Sequence, residues 1–385
     1  MIIRNKNKKQ LIIFILLLSM NVLFFVKPFG VTQAKIQWSH KTHGFIAENA
    51  IESLPSPWKE FFLDYSDFLV LHSDDPDGFR SYLEDSRPDL YPQEEPRHFD
   101  DHNLKEKGGT VYDEHAPENA HLIDGKFTNE DIDFVAINVS ASTMKYQKGV
   151  IEWTVQNYTK EVTNYMAIVA SDPTNNTAWQ MVLIKMAWLA HYASDATMPF
   201  HGTANYDGQL TGQTGIHGYV ENTMTELPGK GHIDDVNFSH PAAVYVVSPF
   251  NQTVSAIETG LGNVSTILAA DKSLDRNDAS WIDGMWAIIG KMWSARIDLA
   301  AVCSANLWYT ALIDSGLFDE LDETELSAIT IDVSGIVDPY IPPLPPKPTK
   351  PKDTTTTKAT SGYEILMGII PLIIFVFLST KYRKK

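Results

Sequence analysis

The stretch "LAHYASDATMPFH", Leu189 to His201, decides how this chain is read. Residues four apart share one face of a helix, so His191 and Asp195 project together from "HYASD". Pro199 ends such a helix and lets the chain turn back to deliver His201. One His/Asp pair at this spacing is commonly a solvated or hydrogen-bonded face. The arrangement recurs a short way on, however, where "HGYVE" sets His217 and Glu221 four apart. Imidazole and carboxylate without thiolate is the ligand set of a catalytic zinc or manganese site.

Outward from this stretch, apolar residues recur at three- and four-residue spacing over His43 to Leu54, Asp131 to Ala170, Thr177 to Ala196, Val254 to Ala270 and Trp281 to Ser315. Alternating patterns are scarce, and only "AAVYVVS" near Val244 suggests a strand. The expected fold class is therefore all-α, over residues 38–336. With 44% hydrophobic and 21% charged residues among 385, the chain can bury a full-sized core. A formal charge of −17 argues against a nucleic-acid partner held by phosphate neutralisation and is easier to reconcile with cation binding. The single cysteine, Cys303, lies in apolar helical surroundings and reads as a core residue. Any metal site must be built from His, carboxylates and backbone.

The two ends suggest export. A basic start, "MIIRNKNKKQ", precedes an apolar run from Leu11 to Val26, the pattern of a signal peptide over residues 1–34, with an uncleaved anchor as the alternative. Residues 340–362 are rich in Pro, Thr and Lys and read as an extended stalk. Residues 363–380 are expected to form a C-terminal transmembrane anchor and 381–385 a basic cytoplasmic tail, which would hold the protein at the cell surface; a sorting signal that is later cut off competes with the anchor. Six N-x-[ST] sequons, beginning at Asn138, Asn157, Asn175, Asn237, Asn251 and Asn263, agree with an exported surface.

Further ligands can be sought upstream, in "WSHKTHGFIAENAI", "HSDDPDGFR" and "EEPRHFDDH". Taken in order, Trp38 with His43, Asp77 of "SDDPD", His98 of "RHF", His191 and Asp195 of "HYASD", His201 of "PFH", and His217 and Glu221 of "HGYVEN" resemble the zinc-dependent phospholipase C family. That family and its relatives, the single-strand-specific nucleases, hold three zinc ions in a multi-helical phospholipase C/P1 nuclease-like domain. The resemblance runs from Trp38 to about Gly316.

Carried over, it implies that Asp77, His98, His191 and Asp195 hold one zinc and that His201, His217 and Glu221 hold a second. Asp195 would bridge to a third, completed by His43 and by the amino and carbonyl groups of Trp38. That last role needs Trp38 to begin the mature chain, whereas the obvious signal-peptidase site follows Ala34; either the three intervening residues are trimmed, or the third site is modified, with the Trp38 carbonyl and His40 as substitutes. The implied activity is hydrolysis of a phospholipid's lipid-side phosphoester by metal-activated water. Asp77 is the candidate to orient or deprotonate that water, or else a plain ligand. A closing Glu221 leans to phospholipase C; the short Trp38 to His43 interval leans to the nucleases. A zinc-binding surface protein without turnover is the third reading. Lys41, Gly78 and Glu95 stand where choline-preferring members carry an acidic residue and aromatics, so no choline box is expected, and Lys41 suggests tolerance of anionic headgroups.

Overall fold

A computed structural model describes residues 40–100, 149–203 and 205–345. The signal peptide, Trp38, most of the stalk, the anchor segment and the basic tail lie outside these residues. The described residues are mostly helical and contain no strand; their one β-bridge joins Asp100 to Gly149. The all-α expectation therefore holds. "AAVYVVS" is extended but unpaired with any strand: the Val244 and Val246 amides donate to the Asn306 and Thr310 side chains of a neighbouring helix.

The helices run α1 (His40–Ile51), α2 (Trp58–Leu63), α3 (Ser66–His72), α4 (Asp75–Ser86), α5 (Tyr91–Glu94), α6 (Ile151–Ser171), α7 (Asn176–Asp195), α8 (Ile216–Gly218), α9 (Pro249–Lys272), α10 (Trp281–Asp314), α11 (Leu317–Glu320) and α12 (Glu323–Ala328). A π-helix, Tyr219–Glu226, continues α8. Local chemistry sets several of these ends. The Asn175 side chain accepts from the Ala178 amide to cap α7. Ser248 caps α9 ahead of Pro249, and Asp322 with Glu325 forms a capping box on α12.

Helices α6, α7, α9 and α10 pack on one another, and α1 packs across α3, α7 and α10. Their shared core buries Trp179, Trp293 and Trp308 with Phe62, Phe200, Ile46 and Ile51. Each buried Phe or Ile contributes about 1.5–3 kcal/mol. The indole donors are used: Trp308 bonds the Met186 carbonyl at 3.0 Å, and Trp293 the Thr225 hydroxyl at 2.8 Å. Buried Arg296 of α10 donates to the carbonyls of Thr197 and Ala256, at 2.7 and 2.6 Å. It thereby ties the chain just past the end of α7 to α9, and burial pushes its pKa down to about 10. A Cβ on Gly260 would lie 3.0 Å from that guanidinium, so glycine fits the crossing. Cys303 is buried on the same helix, its thiol pushed up to about 12 by burial, which suits a packing role.

The chain divides into two compact units, 1–341 and 342–385. The first extends beyond Ile336: the Tyr340 amide donates to Asp75 at 3.0 Å, and the Ile331 amide to the Tyr65 hydroxyl at 2.8 Å. The described part of the second, 342–345, has no regular secondary structure. The expected membrane anchor, and the cell-surface placement resting on it, are corrected here: among the described residues no helix is long and apolar enough to cross a membrane. The long helices that are described interleave polar and charged residues with the apolar ones that pack on the hydrophobic core; the segment 363–380 itself lies outside the described residues.

Candidate metal centre

The C-terminal turns of α7 bring the site together. Asp195 is fully buried, and its two oxygens face opposite ways. Oδ2 lies 2.9 Å from His98 Nδ1 and 3.3 Å from His191 Nε2. Oδ1 lies 3.6 Å from His201 Nδ1 and 3.8 Å from His43 Nε2, and has no hydrogen-bond partner. Helix α1 supplies His43, the first turn of α4 supplies Asp77, and the 3-10 turn Glu95–His98 supplies His98. His201 comes from the 3-10 turn Pro199–Gly202, so Pro199 does reverse the chain as its position predicts. Glu221 sits in the π-helix, an irregularity that frequently marks a functional site.

Second partners orient the rings. His191 Nδ1 lies 2.8 Å from the Ser73 carbonyl and His201 Nδ1 2.6 Å from the His98 carbonyl, so each donates from Nδ1 and turns Nε2 toward the cluster. His43 Nδ1 bonds the Ser194 hydroxyl at 2.8 Å; that hydroxyl donates to the His191 carbonyl, which leaves it to accept from His43. His98 is reversed, with Nδ1 inward and Nε2 3.7 Å from Glu94, a buried carboxylate held by Tyr192 and Arg97. His217 Nε2 and Glu221 Oε1 are 3.1 Å apart without hydrogen-bond alignment, and neither His217 Nε2 nor either oxygen of Glu221 has a hydrogen-bond partner, while the His217 ring also interacts with the Tyr206 backbone.

Three groups of potential ligand atoms result, each within 4.8 Å: His98, His191 and Asp195; His201, His217 and Glu221; and His43, Asp74, Asp77 and His191. Buried His/Asp/Glu groups that could hold a metal ion are thus present. Of the residues singled out in the sequence, His43, Asp77, His98, His191, Asp195, His201, His217 and Glu221 come together, while Trp38 falls outside the described residues. The α1 start beside it is anchored by Glu226, which accepts from the amide and hydroxyl of Thr42. Lys41 pairs with Asp234 at 3.2 Å on the surface, and Glu95 pairs with Arg80.

Burial pushes His43 and His217 down to about 3, so both are neutral ligands at physiological pH. Burial also lowers His201. Burial pulls His98 and His191 down too, but nearby carboxylates outweigh it and hold both above the usual imidazole range. Burial raises Asp195, yet His191 and His201 outweigh it and keep it ionised. Glu221 is held well above the carboxylate range by burial, which favours its protonated form.

Three neighbours, Glu94, Asp207 and Arg80, were not singled out in the sequence, and a fourth, Asp74, stood there only as one carboxylate of "HSDDPDGFR". Asp74 joins the His43 group. Glu94 backs His98. Asp207 is buried, and lies between the ligands His201 and His217 in sequence; burial lowers His217, and the charge of Asp207 opposes it by favouring the protonated ring. Arg80 is buried one helical turn after Asp77; its charge acts on Asp77 and His217, and its Nε has no partner. The i,i+3 spacing of Asp77 and Arg80 and the i,i+4 spacing of Glu94 and His98 were usable signals; Asp74 and Asp207 are placed by tertiary packing.

The chain matches no protein-family model and no curated protein.

Proposed function

We propose that the chain is a zinc-dependent phosphodiester hydrolase, a phospholipase C that releases the phosphorylated headgroup of a polar phospholipid. The observation that carries this reading is the convergence of buried histidines and carboxylates whose facing atoms, His43 Nε2, Asp195 Oδ1, His217 Nε2 and both Glu221 oxygens, have no hydrogen-bond partner in the protein. Such orphaned buried atoms cost about 1–3 kcal/mol each and fit a cation that has yet to satisfy them. Asp77, His98, His191 and Asp195 would hold one zinc, His201, His217 and Glu221 a second, and His43 with the Asp195 bridge a third. Bound there, the ions supply a nucleophilic water at neutral pH and offset charge on a phosphodiester.

The chain's own groups complete the chemistry. Burial raises Asp77, but His191, His98 and Arg80 outweigh it and hold its carboxylate ionised, able to accept a hydrogen bond from the attacking water. Arg80 Nε faces no protein acceptor and can donate to a phosphoryl oxygen. A lipid substrate is favoured by the loop 205–215 between His201 and His217, where Leu210 is 71% and Tyr206 50% exposed. In the test, full-length protein with zinc is offered phosphatidylcholine, phosphatidylinositol and single-stranded DNA. Diacylglycerol with a released phosphorylated headgroup is expected; cleavage of DNA with intact lipid would overturn the phospholipase in favour of a nuclease, and no turnover on any of them would overturn the enzyme.

A further inference from the structure

We propose that Asp74 is a ligand of the cation site built on His43, standing where the sequence resemblance asks for the amino group of Trp38. This rests on the metal-centre reading above and adds a residue to it. His43 Nδ1 is committed to Ser194, so only Nε2 can face a cation, and that buried atom has no partner. The ligand atoms of His43, Asp74, Asp77 and His191 lie within 4.8 Å of one another. His191 Nε2 is engaged on the other side, 3.2 Å from His98 Nδ1 and 3.3 Å from Asp195 Oδ2, which leaves His43, Asp74 and a shared Asp77 to join the bridging Asp195 Oδ1 at this ion.

The segment "SDDPD" sorts its carboxylates accordingly. Asp75 is spent on the fold, accepting from Trp188 and the Tyr340 amide and bonded to His72. Asp74 and Asp77 stand three apart, on one face of the α4 start. Asp74 occupies the N-cap position, where its carbonyl receives the Asp77 and Gly78 amides at 3.1 Å and its side chain is not the cap. Neutral His43 with two carboxylates balances a dication, and an oxygen–nitrogen set of this kind suits zinc. The site therefore does not depend on a free amino group at Trp38.

Zinc per chain is measured by elemental analysis on full-length protein after gel filtration, for the wild type, Asp74→Asn, Asp74→His, His43→Asn and the double variant Asp74→Asn/His43→Asn. Asp74 is half-buried and Asn has the same shape, so the fold should persist, and far-ultraviolet circular dichroism checks it. Expected are three zincs for the wild type, two for Asp74→Asn, two for His43→Asn and two, not one, for the double variant, with Asp74→His restoring the third. Three zincs in both wild type and Asp74→Asn would overturn the role of Asp74 and leave the metal centre standing. A wild type with fewer than three would overturn the His43 site, and one with none would overturn the metal centre as well. Should Asp74→Asn misfold, a folded Asp74→His with only two zincs would refute the assignment by itself.

Discussion

Two buried polar clusters lie two residues apart on the same helix and behave in opposite ways. Around Asp75, every acceptor is used: His72 Nδ1 at 2.7 Å, Trp188 Nε1 at 3.1 Å and the Tyr340 amide at 3.0 Å. Around Asp77 and Asp195, imidazoles and carboxylates face one another with atoms left over. A buried polar group that serves the fold closes its bonds, because an unmade one is costly. A cluster that stays open across several residues in one place is built for something the polypeptide does not supply. The first cluster fastens the chain's return at Tyr340; the second groups atoms that could hold cations.

Substitutions should separate the two. The largest effect is expected for Asp195→Asn, because Asp195 faces both the His98/His191 and the His43/His201 sides: it should lose more than one zinc and at least about 100-fold in activity, the scale on which a metal-site residue acts. Glu221→Gln should lose one zinc and less activity; equal, near-native zinc content in the two variants would remove the bridging role of Asp195. Asp75→Asn should do the reverse, lowering stability by about 1–3 kcal/mol in urea unfolding while zinc per chain stays at the wild-type value. Loss of zinc in Asp75→Asn would erase the distinction between the clusters.

Acid should affect the open cluster in a defined direction. His43 and His217 are lowered to about 3 in the fold, so below the unfolded value of about 6.5 the unfolded chain binds more protons than the folded one. Their contribution is complete above that pH and is lost as pH falls toward 3. Since zinc needs neutral imidazole, zinc content followed from pH 8 down to pH 4 should drop below about pH 6.5. Glu221 works the other way in the metal-free protein. Its folded pKa is raised, so its contribution is present below the unfolded carboxylate value and lost as pH rises. Metal-free Glu221→Gln should therefore unfold at higher urea than metal-free wild type at pH 7. A lower midpoint would mean Glu221 is satisfied within the protein. The smallest effect is expected at Lys41, whose exposed pair with Asp234 contributes about 0–1 kcal/mol. Lys41→Ala should change the ratio of phosphatidylinositol to phosphatidylcholine hydrolysis by less than about twofold, counter to the anionic-headgroup tolerance that its sequence position suggests.

The long helices were legible because their apolar residues repeat at helical spacing over many turns, as in α6, α7, α9 and α10. The short helices between Trp58 and His98 were not, since a few residues carry no such period. The pairs His191/Asp195 and His217/Glu221 could be read from spacing alone, because both members sit on one helical face. Glu94 and His98 share the same four-residue spacing and could have been read with them, whereas Asp207 could not, because a stretch of irregular chain separates it from His217. The π-helix at Glu221 was also invisible, as "YVENTMTE" carries no residue that demands it. Asp74 and Asp75 show the same limit most sharply, two identical neighbours given different fates by what α1 and Tyr340 bring to them.

Whether metal completes the open cluster is tested most directly by thermal unfolding of the full-length protein, stripped by chelator and then titrated with zinc. Saturable zinc binding is expected, with a rise in Tm equivalent to about 4 kcal/mol at a thousandfold excess over Kd, which Asp195→Asn largely abolishes. A stripped protein that unfolds at the same temperature with and without zinc, and binds none, would contradict completion by metal.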